Sequence, residues 1–458
     1  MTEHGFTRRT FLVGSALTVA GLSTAGHAAA RKRVSANEKL NVGAIGAGGQ
    51  GHGDVSGMSA ENVVALCDVD WDRAADTFKR FPNARRYTDF RVMLKKERLD
   101  AVTVSTPDHT HTVAALAAME RGIHVRVQKP LTWSIAEARI LRKAAHKYNV
   151  VTAMGNQGHA GDGVRQMCEI LWSNAIGPVR EAHIWTDRPI WDQSPRQKLP
   201  SVAVPEELDW DLWLGPAPYR HFNPGYAPWD WRGWWEFGCG ALGDMACHVM
   251  DPANWALQLG TPTSVECTTM ERGSEETPPT KSIIKYEFPA RPFRDKVDVA
   301  WKGQTLPPVT VYWYDGGYMP PRPAGVPEGT RLGDGSNGSY FVGDNGVATT
   351  GCYGGGTRLL PDERMKDFEM PDEVIPRVPR GNSYVEFADA CKGGPLPGSN
   401  FDYSAPFTEV VHLGSLAVRA GVGQKIQWDS KAMRSPNMPR VNLFVGRQNT
   451  RRGWEISV

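Results

Sequence analysis

Five short apolar runs punctuate the first third of the chain: LNVGAIG from residue 40, NVVALCD ending at Asp68, AVTVST (101–106), IHVRVQ (123–128) and VVTAMG (150–155). Between them lie longer segments of mixed polarity whose apolar positions suit helices: one opening after Gly51, then 71–80, 111–121 and 134–148. Repeated strand–helix alternation predicts an α/β fold with a doubly wound parallel sheet, here over 38–155. Residues 156–458 read as a second domain. EAHIWTDRP (181–189) forms a strand, TPPTKSIIKYEFPARPF and VTVYWYDGG form antiparallel strands, and 320–380 reads as loops and short strands. Helices are expected at 380–392 and along TEVVHLGSLAVRAG, with 380–425 packing back toward the first domain.

The first thirty residues are set apart from this pattern. Arg8 and Arg9 precede Phe11 and Leu12, an apolar run rich in Gly, Ser and Thr, and the small residues AGHAAA. The segment reads as a twin-arginine signal peptide (1–30) that sends the protein to the periplasm, with cleavage near Ala28 or Ala30. An ordinary secretory signal or a retained anchor is the alternative. No later segment is apolar enough to give a stable membrane span. A formal net charge of +2 gives no electrostatic footprint for nucleic acid. Gly (48) and Pro (33) are frequent enough to make the second half loop-rich. The seven cysteines have no C-x-x-C spacing and read as buried small hydrophobes, not as a disulfide framework.

Candidate chemistry gathers where the strands end. GAGGQG places Gly46, Gly48 and Gly51 in a G-x-G-x-x-G turn that includes Gly49 and Gln50. Asp68 ends the next strand, 17 residues after Gly51, close to the spacing of the acid that binds the adenosine ribose. That acid would repel a 2′-phosphate, so NAD is favoured over NADP. STPDHTH, with Thr106, Pro107, His109 and His111, and VQKP, with Gln128 and Lys129, follow later strands and therefore face the cofactor crevice. Lys129 can donate to a substrate hydroxyl and stabilise alkoxide-like charge; otherwise it is a surface lysine. In GCGALGDMACHVMD, Asp244 and His248 stand four apart, on one face of a helix. The pair suits a general base or a satisfied buried His–Asp pair, and no third ligand at metal spacing accompanies it. Asn156 and His159 follow another strand end and serve either substrate or loop hydrogen bonding. Asp187 and Arg188 are further candidate contacts. Eight of sixteen tryptophans fall between 185 and 235. Trp231, Arg232 and Trp235 are candidate sugar contacts, or parts of a loop pinned by its own tryptophans.

GAIGAGGQG, ALCDVD, STPDHTHTVAALAAMERGIHV, QKP and GCGALGDMACH followed by VMD make the chain resemble the glucose–fructose oxidoreductase/inositol dehydrogenase family, Gfo/Idh/MocA, from about residue 38 to the end. The tail TEVVHLGSLAVRAG…IQWD…RRGW resembles exported members. The resemblance implies a Rossmann domain joined to a C-terminal α+β domain with a large, mostly antiparallel open sheet. It implies a carbohydrate or cyclitol substrate between nicotinamide and sheet, and a homodimer or homotetramer formed through that sheet. Lys129 matches the lysine of the family's E-K-P motif. Asp244 and His248 match its Asp and His, with His248 taking the hydroxyl proton. Gln128 departs from the usual Glu. An exported enzyme meets no pool of NAD, so the expected activity is oxidation of a secondary hydroxyl with a tightly bound, internally recycled cofactor. An NAD-dependent glycosidase or lyase working through transient ring-carbon oxidation, and a non-catalytic sugar-binding scaffold, are the alternatives.

Overall fold

The computed structural model describes residues 35–457 apart from 36, 195 and 196; the leader expected at 1–30 lies outside the described residues. The run from Leu40 forms β1 (Asn41–Ile45), whose Val42, Ala44 and Ile45 are buried on both faces. Burial on both sides is the mark of a central parallel strand. There follow α1 (Gln50–Gly57), β2 (Asn62–Cys67), α2 (Trp71–Arg80), β3 (Arg85–Tyr87), α3 (Phe90–Lys96), β4 (Ala101–Val104), α4 (His111–Met119), β5 (His124–Val127), α5 (Ile135–Tyr148) and β6 (Thr152–Met154). All strand pairs are parallel, in the order β3-β2-β1-β4-β5-β6. The order reverses between β1 and β4, and the crevice outside their carboxyl ends is where such sheets bind ligands. Short polar side chains start the helices. Asp70 caps α2 through the Arg73 N–H, Asp89 caps α3 through Arg91, and Ser134 caps α5 through Glu137.

The pattern of apolar runs did not reveal β3 and α3. RRY is short and mostly exposed because it is an edge strand, which needs no continuous apolar run.

The second half builds α6 (Asp162–Trp172), β7 (Val179–Trp185), α7 (Trp210–Leu214), α8 (Gly240–Val249), α9 (Asp251–Ala256), β8 (Ser264–Glu271) and β9 (Lys281–Phe288). A small ribbon, β10 (Arg291–Pro292) with β11 (Thr305–Leu306), precedes β12 (Val309–Tyr314), β13 (Gly338–Gly343), β14 (Gly346–Thr350) and β15 (Arg358–Leu360). The chain ends with α10 (Ser383–Cys391), α11 (Phe401–Ala420) and β16 (Lys425–Gln427). Eight strands form one sheet in the order β15-β14-β13-β7-β12-β9-β8-β16. Only the central pair β7–β12 is parallel, so the sheet is mixed but mostly antiparallel. In β9, Ser282, Ile284, Tyr286 and Phe288 face the core while Lys281, Ile283, Lys285 and Glu287 stay partly exposed, the period of two that one covered face requires.

The late helices lie against the first sheet. Phe387 and Ala388 of α10 pack on Leu40, Val42, Ala101 and Ala153, and Glu409 of α11 makes a bidentate ion pair with Arg139 of α5. The described residues form one compact unit. No helix among the described residues is long and apolar enough to cross a membrane. The seven cysteines are free; six are buried and Cys352 is partly exposed.

Candidate active site

The turn after β1 is possible only with glycine. Gly46 has φ +84°, and a Cβ there would stand 2.6 Å from the Ser105 carbonyl oxygen. The same turn brings the start of α1 to the strand ends. Asp68 Oδ2 accepts from the backbone N–H of Ala47 (2.7 Å) and Gly48 (2.9 Å), and Oδ1 from that of Asp70 (3.0 Å). The acid thus holds the turn it faces.

A cavity of about 450 Å³ opens beside it, within the range of a cofactor site. It runs from Asp68, Thr88 and Phe90 past Gly46, Gly48, Gly49 and Gln50, along Thr106 and Pro107, to Gln128, Lys129 and Asp244. Arg188, Trp191, Trp231 and Arg232 wall the far end. A glycine cradle at a helix N-terminus with a carboxylate at the end of β2 fits a dinucleotide: backbone N–H groups for the pyrophosphate, Asp68 for the ribose.

At the far end Lys129 Nζ donates to Asp244 Oδ1 at 2.6 Å, and Arg232 Nε forms a second ion pair with that oxygen at 3.1 Å. Small residues Gly240, Ala241, Gly243 and Ala246 let α8 come close to the strand end; a Cβ on Gly243 would already touch Pro130 at 3.4 Å. Asp108 fixes the helix start, its Oδ2 accepting from the Cys239 N–H at 3.1 Å. Burial pushes the Asp244 carboxyl up, but Lys129 and Arg232 outweigh it and hold the group well below the usual carboxylate range. Burial, with the Lys129 charge adding to it, lowers His248 to about 3. The imidazole is therefore neutral.

The expected Asp244–His248 contact is not made. Asp244 is taken by the two cations, and His248 Nδ1 donates instead to Asn156 Oδ1 at 3.3 Å. His248 is 2 % exposed, does not line the cavity, and lies under the Tyr353 ring, 4.7 Å away.

Other expected contacts are placed elsewhere. His109 turns its ring nitrogens to the carbonyl oxygens of Phe237 (3.2 Å) and Trp213 (3.0 Å), and His111 to those of Pro130 and Thr106 (both 2.9 Å). Both are buried, away from the cavity lining, and tie loops together. His159 is also buried: its Nδ1 meets Asp251 at 3.0 Å and its ring stacks on Trp255 at 4.2 Å. Trp235 bonds Ser274 and lies under Arg419, outside the cavity; Asp187 points to solvent beside Arg188. Gly51 does not line the cavity but packs against Gly46. Among the described residues no group of three or more His, Cys, Asp or Glu is placed to hold a metal.

Two segments match known family domains: residues 40–156 an oxidoreductase family's NAD-binding Rossmann fold, and 184–289 the C-terminal α/β domain of the same family. Both segments match the Gfo/Idh/MocA oxidoreductase family. A levoglucosan dehydrogenase of Pseudarthrobacter phenanthrenivorans is 24 % identical over 229 residues, 48 % of this chain and 51 % of that protein. A glycosyl hydrolase family 109 protein of Saccharopolyspora erythraea is 34 % identical over 163 residues, 30 % of this chain and 36 % of that one. The chain thus spans about half, or less, of these curated relatives. A WlbA dehydrogenase from Chromobacterium violaceum, solved with NADH and UDP-GlcNAcA, shares the fold with TM-score 0.59 at 15 % identity, covering 88 % of this chain and 99 % of that one.

The structure explains Gln128. Its Nε2 donates to both oxygens of the buried Asp54, at 3.0 and 2.9 Å. Asp54 also accepts from Ser105 Oγ (2.6 Å) and Tyr384 Oη (2.8 Å) and faces Arg126 at 3.8 Å. A Glu at 128 would set a second carboxylate on the first. The carboxylate here stands one layer behind position 128, at Asp54. Asp54, Asp108 and Tyr353 are site residues the sequence did not single out. Asp54 stands only three residues beyond Gly51, but nothing in its spacing points to position 128.

Gln128→Glu should cost about 2–4 kcal/mol at pH 7, because a like-charge pair in a buried site raises a carboxyl pKa and ionisation must be forced. A raised folded pKa means the loss grows as pH rises. Asp54→Asn in the same chain should restore most of the stability in urea melts; no restoration would show that Asp54 is not the reason. His248 carries the opposite sign. Its folded pKa lies below the unfolded value near 6.5, so unfolded chains bind the extra proton and stability falls as pH drops from 6.5 toward 3. The slope is about 1.4 kcal/mol per pH unit from this group. His248→Gln should remove that share, read from denaturation midpoints at pH 7, 5.5 and 4.5; an identical slope would mean that the imidazole is already charged.

Proposed function

We propose that the protein is an exported oxidoreductase that takes hydride from a secondary hydroxyl of a sugar, glycoside or cyclitol onto NAD, and keeps that cofactor bound between turnovers. The observation that carries the reading is Lys129, paired to Asp244, which Arg232 also pairs, at the end of the glycine-turn cavity and facing a wall of tryptophan and arginine. NAD, when bound, supplies the hydride acceptor. Lys129 donates to the substrate oxygen and stabilises the negative charge that grows there as hydride leaves. Asp244 stays ionised and fixes the ammonium. The His248 Nδ1 proton is held by Asn156, which leaves Nε2 as the basic nitrogen; Tyr353 must shift for a substrate hydroxyl to reach it. Trp231, with the Arg232 guanidinium 4.3 Å above its ring, offers an apolar face beside hydrogen-bond donors, the pairing that sugar rings require.

The Arg8–Arg9 leader supports export, and export supports retention of the cofactor. Open positions on the second sheet, Ile283 and Lys285 among them, support assembly into a homodimer or homotetramer. The family 109 relative favours one alternative, cleavage of a glycoside through transient oxidation of a ring carbon.

Protein recovered from the exported fraction, denatured and filtered, should release close to one nicotinamide dinucleotide per chain. Lys129→Ala and His248→Ala should fold, keep that cofactor and lose turnover about 10²–10⁴-fold in paired-sugar assays. Unchanged turnover in both would sink the assignment. Cleavage of an aryl glycoside without added oxidant would select the glycosidase reading.

A further inference from the structure

The cleft has a wall that none of its motifs provides. Its lining at the Asp68, Thr88 and Phe90 end includes Trp454, more than three hundred and sixty residues from its neighbours there. We propose that Trp454 is a cofactor-binding residue: the C-terminal segment from Val445 to Trp454 closes the adenosine end of the cleft and has to lift before the dinucleotide can leave.

The segment is fastened step by step to the first half of the chain. The Ala136 N–H donates to the Val445 carbonyl at 2.9 Å. Arg447 lies 4.2 Å over Trp133, pairs with Glu137 at 3.7 Å and donates to the His109 carbonyl at 3.2 Å. Arg451 donates to the carbonyl oxygens of Pro216 (backbone N–H, 3.3 Å) and Asp211 (Nη1, 2.9 Å) and pairs with the Asp211 carboxylate. A turn, Trp454 N–H to Arg451 carbonyl at 3.1 Å, then brings the indole inward. The ring lies 6.1 Å from that of Phe90, with the Arg91 guanidinium 4.4 Å above it, and is 7 % exposed.

Two features separate a wall from a plain anchor. The first is place: the indole stands where the ribose acid and the ends of β2 and β3 define the adenosine half of the site. The second is the grading of the fastening. Arg447 is buried, whereas the last tie, Arg451 to Asp211, rests on a carboxylate that is 68 % exposed. Exposed pairs are weak, so the tip is the part that can open.

The proposal rests on the NAD-dependent reading above, and the test keeps the two apart. Wild-type, Trp454→Phe, Trp454→Ala and Arg451→Ala chains are loaded with NAD; retention through gel filtration and affinity by titration calorimetry are measured, with melting curves to verify folding. Trp454→Ala should release NAD about tenfold faster and bind it more weakly, Trp454→Phe should stay near wild type, and Arg451→Ala should shift the same way by less. A folded Trp454→Ala chain that holds NAD like wild type overturns the proposal and leaves the oxidoreductase reading intact. Should Trp454→Ala not fold, Arg451→Ala decides: faster release supports the wall, an unchanged rate refutes it. Wild-type protein that binds no NAD would refute both.

Discussion

One buried charge cluster holds the working end of the molecule together. Asp244 comes from a helix of the second half and Lys129 from a strand end of the first, 115 residues apart in sequence and 2.6 Å apart in space. A single ion pair in such a place barely recovers the desolvation of its two charges. Here the carboxylate has a second cation, Arg232, so removing either cation still leaves it paired. The arrangement explains why α8 is so poor in bulky side chains: only a thin helix lets its backbone come near enough to Pro130 for the short Asp244 side chain to reach Lys129.

That cluster depends on a polar frame behind it. Asp108 ties the start of α8 to the loop after β4, His109 ties the same loop to Phe237, and His111 joins it to Pro130. Asp108, His109 and His111 of STPDHTH therefore work as a clamp, while Ser105, Thr106, Pro107 and Thr110 face the cavity. Asp54 plays the corresponding part on the cofactor side. It takes donors from α10, β4's following loop and Gln128 at once, so the amide before Lys129 is held in place with the anion kept out of the cleft.

Much of this was legible in the residues before any coordinates. The glycine turn, Asp68, Lys129 and the Asp244 helix are local patterns: each states its geometry within a few residues, because glycine, strand ends and i,i+4 spacing act at short range. The misplacements share one cause. His109, His111 and His159 are polar and stand at strand ends, which by itself suggests exposure to ligand; His109 and His159 bond partners more than ninety residues away, and His111 is buried between Thr106 and Pro130. The Asp244–His248 pair failed for the same reason, since competition from Lys129 and Arg232 is tertiary. Trp454 carries no local pattern at all.

Polar atoms are left over behind the working end. Asp108 Oδ1 and Asn156 Nδ2, neither of them in the cavity lining, are buried without a hydrogen-bond partner. Each such atom costs the fold about 1–3 kcal/mol, and two of them are a sizeable fraction of the stability of a domain. The working end thus keeps buried polar groups that its own folding leaves unsatisfied, behind a cavity whose wall is tryptophan and arginine and whose charge is set by Lys129 and Asp244.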